Sequence, residues 1–348
     1  MIFVGVVISA VKCFLDYRNV PMITGNLCMV LDEGFNSEDG VFGDNGTNGE
    51  FEMTTDSENN SFVANVTSTF PDDVLQHYQG LSYTDSSSNT CHKLNETAIG
   101  SNTLTLKLTI SVFCGQQCYR GNNHQPVQSA RLSTRKTASM KFGRVDVVAK
   151  IPTGDWLPQC ANVACDLDAT VDDAYGAWPL SGEIDIMEAR EEPIMSAVVK
   201  LGPLTWLNEV WRTYGWWQMK RGSFDKGFHT YSLEWTEKFM YLPLYVDSRL
   251  HHMLELNINE AFWDREWSEV VALQDPWING TKAAPFDQRF YLILDVGVGG
   301  TNGWFPDGPE KPWLDGSLNT EPSGYARFLG SSGSMVPNWP TNQTNVLL

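Results

Sequence analysis

Positive charge is scarce in this 348-residue chain. Lys and Arg total 24 against 42 Asp and Glu, a formal net charge of −18. A surface of that sign repels phosphate backbones and anionic lipid heads, so no nucleic-acid partner is expected. A neutral partner such as a polysaccharide is not disfavoured, and the same acidity serves solubility. Long apolar runs are also missing, so no segment is expected to insert in a membrane. There is no long amphipathic helical pattern, no internal repeat and no Pro- or Ser-rich linker. A chain of this length and globular composition is read as one domain with a sizeable core. Zinc-type cysteine spacing is absent as well. The seven cysteines are Cys13, Cys28, Cys91, Cys114, Cys118, Cys160 and Cys165. The odd count leaves at least one thiol unpaired. Cys114 and Cys118 do not form a CxxC pair, and no histidine lies at zinc-finger spacing from them, so no metal and no cofactor are expected.

What the chain does have is short period-two alternation. Residues 50–54, 103–110, 143–151, 229–235 and 245–247 read as strands with one buried face. Residues 290–298 are nearly all apolar and read as a strand buried on both faces. Gly, Pro and Asn punctuate the intervals, which implies a β-sandwich or barrel. The thirteen tryptophans are many for this length. Their flat faces suit sugar rings as well as a core, and about half are expected to be core residues. Residues 1–10 are apolar and resemble a signal-peptide hydrophobic segment, with Ser9-Ala10 supplying a small residue before a cut, although the usual positive leader is missing. Acceptor sequons at Asn45, Asn59, Asn65, Asn95, Asn279 and Asn342 agree with a secretory route. Secretion, to the extracellular space or a cell wall, is the expected destination.

The chemistry concentrates in Glu183-Ile184-Asp185-Ile186-Met187-Glu188, after Trp178-Pro179-Leu180-Ser181-Gly182. On a strand, Glu183 and Asp185 share one face while Ile184 and Ile186 point into a core. Strict alternation would turn Glu188 onto the apolar face, where an unpaired charge is costly. One extra residue near Ile186 or Met187, a β-bulge, returns Glu188 to the polar face. Close carboxylates push each other's pKa values apart, so one stays protonated while another stays ionised. A retaining glycosidase needs that pair, about 5 Å apart. Two other readings remain for such a run: a solvated acidic strand face, and a calcium site, which lacks its usual Gly-bearing loop here.

Glu-Ile-Asp-Ile-Met-Glu after Trp-Pro-x-x-Gly resembles the signature of glycoside hydrolase family 16 in its bulged, laminarinase-like form. Ordered shorter segments extend the likeness to fungal members from about residue 28 to about residue 340. They include residues 48–52, 129–134, 142–145, 202–206, 228–231, 245–249 and 298–304. The resemblance implies an all-β, concanavalin-A-like jelly-roll sandwich, with residues 24–348 as a single catalytic domain. It implies retaining cleavage of β-1,3- or mixed β-1,3/1,4-glucan by an endo-acting monomer. Glu183 would be nucleophile, Glu188 general acid/base and Asp185 the assisting carboxylate. Trp178, Trp304 and Trp206 would contact substrate.

The chain also departs from the family. After Trp156, residues 157–168 carry Pro158, do not alternate, and are expected to make a poor central strand. Val148 and Asp146 stand where Arg and Glu are common in the preceding strand. Val199-Lys200-Leu201 lacks the usual aromatic residue, and Asp295 replaces an Asn. Asn345-Val346-Leu347-Leu348 stands where the family normally has a closing strand. Three functions fit the pattern: a hydrolase, a non-catalytic glucan-binding protein, and a transglycosylase using the same acids. Retention of all three carboxylates argues against the second, and the sequence does not separate hydrolysis from transfer.

Overall fold

The computed structural model describes residues 2–32, 52–53, 97–99, 104–107, 109–110, 127–128, 131–134, 137–151, 166–169, 175–176, 179–191, 194–204, 212–245, 252–268, 273–295, 307–308 and 345–347. The first ten strands are β1 (Glu52–Met53), β2 (Thr97–Ile99), β3 (Leu104–Lys107), β4 (Thr109–Ile110), β5 (Val127–Gln128), β6 (Arg131–Ser133), β7 (Gly143–Ala149), β8 (Asp166–Ala169), β9 (Glu183–Glu191) and β10 (Ile194–Lys200). The rest are β11 (Tyr214–Gln218), β12 (His229–Trp235), β13 (Phe239–Tyr245), β14 (His252–Asn257), β15 (Phe290–Asp295) and β16 (Asn345–Leu347). Among the described residues two helices accompany them, α1 (Ile2–Asn19) and the short α2 (Phe262–Glu266).

Seven strands form one sheet in the order β1-β6-β15-β8-β9-β10-β11, and four form a second in the order β14-β13-β12-β7. Every pairing is antiparallel. Alternation explains the layering. In β12, Tyr231, Leu233 and Trp235 enter the core; in β9 and β10, Ile184, Ile186, Met187, Ala197 and Val199 meet them from the opposite sheet. Burying each large apolar side chain contributes roughly 1.5–3 kcal/mol. Trp235, Trp263, Trp267 and Trp277 are core residues, the last three in mutual ring contact.

The strands expected at 50–54, 103–110, 143–151, 229–235 and 290–298 are all present in their described parts. Along β15, Phe290, Tyr291, Ile293 and Leu294 are buried, as a strand covered on both faces requires. One expectation needs correction in its described part: Asp166–Ala169, at the end of the run expected to make a poor central strand, is held between β15 and β9, while residues 157–165 lie outside the described residues. Its Asp-Leu-Asp-Ala alternation is too short to stand out, but two neighbouring ladders supply its hydrogen-bond partners. The apolar N-terminal stretch is an exposed helix reaching Asn19, and it ends just before Pro21, which cannot continue it. No helix among the described residues is long and apolar enough to cross a membrane. Asn345–Leu347 pairs with β3.

The outer face of the four-stranded sheet is tied together by charge. Glu234, only 2% exposed, lies 3.6 Å from Arg144 and accepts the Ile23 N–H at 2.8 Å. Asp146 takes Arg144 and the Ser232 hydroxyl. The substitution to Asp146 is thereby accommodated, and Val148 simply faces outward.

Where β11 crosses β14, the two sheets meet backbone to backbone. A methyl group on Gly215 would sit 1.7 Å from the Met253 carbonyl oxygen, so only glycine fits. Gly215→Ala is expected to cost about 2–3 kcal/mol of stability by forcing the sheets apart. Urea unfolding measures this, and an unchanged midpoint would show that the contact yields freely.

Candidate active site

The register of β9 against β10 contains the extra residue that the acidic run demands. Lys200 faces Glu183, Val199 faces Ile184 and Val198 faces Asp185. The next pair is Ser196 with Glu188, so three steps along β9 match two along β10. This is a bulge at Ile186 and Met187. Both of those side chains are fully buried, as is Ile184. Glu183, Asp185 and Glu188 consequently share the opposite face, in line with alternate β10 residues 200, 198 and 196. A second shift follows between Glu188 and Glu191. The Ser196 hydroxyl donates to the Glu188 carbonyl at 2.6 Å, which satisfies a backbone acceptor at the irregular step.

Lys200 joins the carboxylates. Its Nζ lies 3.1 Å from Asp185 Oδ2 and 3.4 Å from Glu183 Oε1. Asp185 is only 2% exposed, so the ammonium offsets charge that water cannot reach. An ammonium at that distance favours the ionised form of both acids.

The turn that delivers Glu183 is braced from a distant loop. Gly182 has φ +78°, and a Cβ there would lie 2.6 Å from the Phe286 ring. Trp277 Nε1 donates to the Leu180 carbonyl at 2.7 Å, and Gln288 Nε2 to the Ser181 carbonyl at 2.8 Å. The Ser181 hydroxyl donates to the Gly176 carbonyl at 2.6 Å. Tyr175 donates its hydroxyl to Asp287 Oδ1 at 2.7 Å, while Asp287 Oδ2 accepts the Thr281 N–H at 2.6 Å. Burial first, then the hydrogen bond and charge of Asp287, push the Tyr175 phenol pKa up, so it remains a donor.

No protein-family model matches the chain. It is 35% identical over 243 residues to a β-1,3-glucan-binding protein of Penaeus monodon, covering 67% of this chain and 62% of that protein. It is 31% identical over 189 residues to glucan endo-1,3-β-glucosidase A1 of Niallia circulans, covering 51% of this chain and 23% of that protein. The chain thus spans less than two thirds of either relative. Among solved structures it matches a mutant of a non-specific endo-β-1,3(4)-glucanase from family GH16, crystallised with 1,3-β-D-cellotriosyl-glucose. That match has a TM-score of 0.51 at 20% identity, over 81% of this chain and 88% of the other. The chain shares the fold of this family 16 glucanase. The jelly-roll sandwich and the family resemblance are both upheld, while nothing in these relatives singles out the fungal branch.

In this family 16 fold, the three carboxylates named from sequence come together on one strand face. Trp178, Trp206 and Trp304 lie outside the described residues, as do all the sequons except Asn279, which is exposed. Lys200 stood out in the sequence only as a departure, because nothing local says that it faces Glu183. The brace on the turn was equally invisible, since its partners lie about a hundred residues downstream.

The Tyr175 bond has a testable sign. The folded state holds the phenolic proton above the ordinary pKa of 10.0, where the unfolded chain releases it. Its stabilisation is full below that pH and is lost as the pH rises beyond it. Tyr175→Phe should flatten that alkaline decline in melting temperature. Parallel declines in variant and wild type would remove Tyr175 as its source.

Proposed function

We propose that the chain is a retaining endo-hydrolase of β-1,3- or mixed β-1,3/1,4-glucan. The observation that carries this reading is the bulge that puts Glu183, Asp185 and Glu188 on one face while Ile186 and Met187 fill the core. A solvated acidic strand would need no such irregularity. The glucanase among the sequence relatives and the family 16 fold support the substrate class.

In the first step the ionised Glu183 attacks the anomeric carbon, and Glu188 donates its proton to the departing sugar oxygen. A glycosyl ester on Glu183 results. In the second step water attacks that carbon, Glu188 takes the water proton, and the Glu183 carboxylate leaves. Asp185 and Lys200 are positioning residues: the ammonium keeps Glu183 ionised and ready to attack. A sugar acceptor in place of water gives transfer by the same steps. The apolar N-terminal helix and the exposed Asn279 sequon fit a secreted protein.

A second reading is glucan binding without cleavage. The Penaeus monodon relative is named for binding.

Reducing-end release from laminarin separates the readings. Wild type should release sugar, Glu183→Gln should release none, and Glu188→Gln should be slower by roughly 10²–10⁴-fold. Equal rates in wild type and Glu183→Gln would sink the catalytic assignment, and binding without release by wild type would establish the second reading. Lys200→Met removes the cation, so the apparent pKa of the acid pair rises. The acid limb of the kcat/KM profile should then move to higher pH. Superimposable profiles would deny Lys200 any influence on the acids.

A further inference from the structure

Two exposed aromatic residues outside the acidic run stand on its face of the sheet. β11 pairs with β10 without interruption, with Tyr214 opposite Val198 and Trp216 opposite Ser196. The same two β10 residues lie opposite Asp185 and Glu188 on their other side. Two rows therefore cross three strands, Asp185–Val198–Tyr214 and Glu188–Ser196–Trp216. Residues directly opposed in a ladder project to one face. The intervening positions confirm which face this is: Gly215 abuts Met253 of the second sheet, and Trp217 packs on the core. Tyr214 and Trp216 thus project with the carboxylates, away from the core.

Their exposure is unusual for such large side chains. Trp216 is 56% exposed and Tyr214 42%. In these two rows β10 contributes Val198 and Ser196, both buried. Gln218 lies two residues on, exposed and on the same face, with an amide able to meet sugar hydroxyls.

We propose that Tyr214 and Trp216 form a sugar-stacking subsite at the β11 rim of the cleft, taking a unit of a β-glucan chain remote from the cleaved bond. Two interstrand steps separate each aromatic residue from its carboxylate, roughly 10 Å, so about three consecutive sugar units are needed to cover both. The flat ring faces match the C–H face of a pyranose and ask for no charge on the ligand. The net charge of −18 leaves such a neutral ligand unopposed. This inference rests on the glucan reading above and gives the cleft a polarity: chain held at the β11 edge extends across β10 to the acids on β9.

The test compares wild type with Trp216→Ala and Tyr214→Ala, both surface changes, on soluble laminarin and on the β-1,3-linked glucose disaccharide. Affinity is read by calorimetry or by retardation in laminarin-containing gels. Trp216→Ala should weaken laminarin binding by about tenfold and Tyr214→Ala by less. Trp216→Phe should restore most of the loss. Disaccharide binding, too short to bridge acids and rim, should drop by less than laminarin binding. Laminarin affinity equal to wild type in Trp216→Ala would overturn the subsite while leaving the glucan reading standing. No binding of β-1,3-, mixed-linkage or β-1,4-glucan by wild type would overturn both. Sedimentation provides the remaining arm: loss of self-association in Trp216→Ala, with glucan affinity intact, would assign the rim to a second copy of this chain instead.

Discussion

The site depends on one broken alternation. A strand that obeyed period two from Glu183 onward would send Glu188 into the core, where Ile186 and Met187 now sit. The bulge resolves a conflict between two demands on nine consecutive residues: apolar atoms for one sheet interface, and carboxylates for the other face. Ser196 completes the solution from β10 by binding the Glu188 carbonyl. Because β10 keeps its own regular register with β11, the irregularity stays confined to one ladder. The acids and the two exposed aromatic residues of β11 can then occupy a single face.

Charge is arranged with similar economy. The chain is strongly acidic, yet one of its few cations sits beside two of the acids in the site. Asp185 is buried, and a bare carboxylate there would be expensive. Lys200 meets that need and, by the same contact, influences Glu183. One side chain thus meets both the buried carboxylate and the proposed nucleophile, which is why its removal has to be read through a pH profile and not through activity alone.

Much of this was legible in sequence, for identifiable reasons. The bulge could be read because burying Glu188 is physically costly, and that cost is local to six residues. β12 and β15 could be read from alternation and from continuous apolarity. β8 could not, because four residues carry too little pattern and its stability comes from ladders on both sides. Tyr214 and Trp216 were equally hidden: alternation alone does not say which of the two faces meets the core, and only Gly215 against Met253 decides it. Lys200 needed the cross-strand register. In each case the missing information was a partner remote along the chain.

The brace on the Glu183 turn carries that point into folding. Leu180, Ser181 and Tyr175 are each held by residues 97 to 112 positions later. Contacts of such separation are slow to close, since the loop entropy must be lost before any of them forms. During synthesis the acidic run emerges well before Trp277, Asp287 and Gln288 exist to hold it. The turn before Glu183 is therefore completed only once residues 277–288 exist, and a ribosome halted before residue 288 carries the acids without their brace.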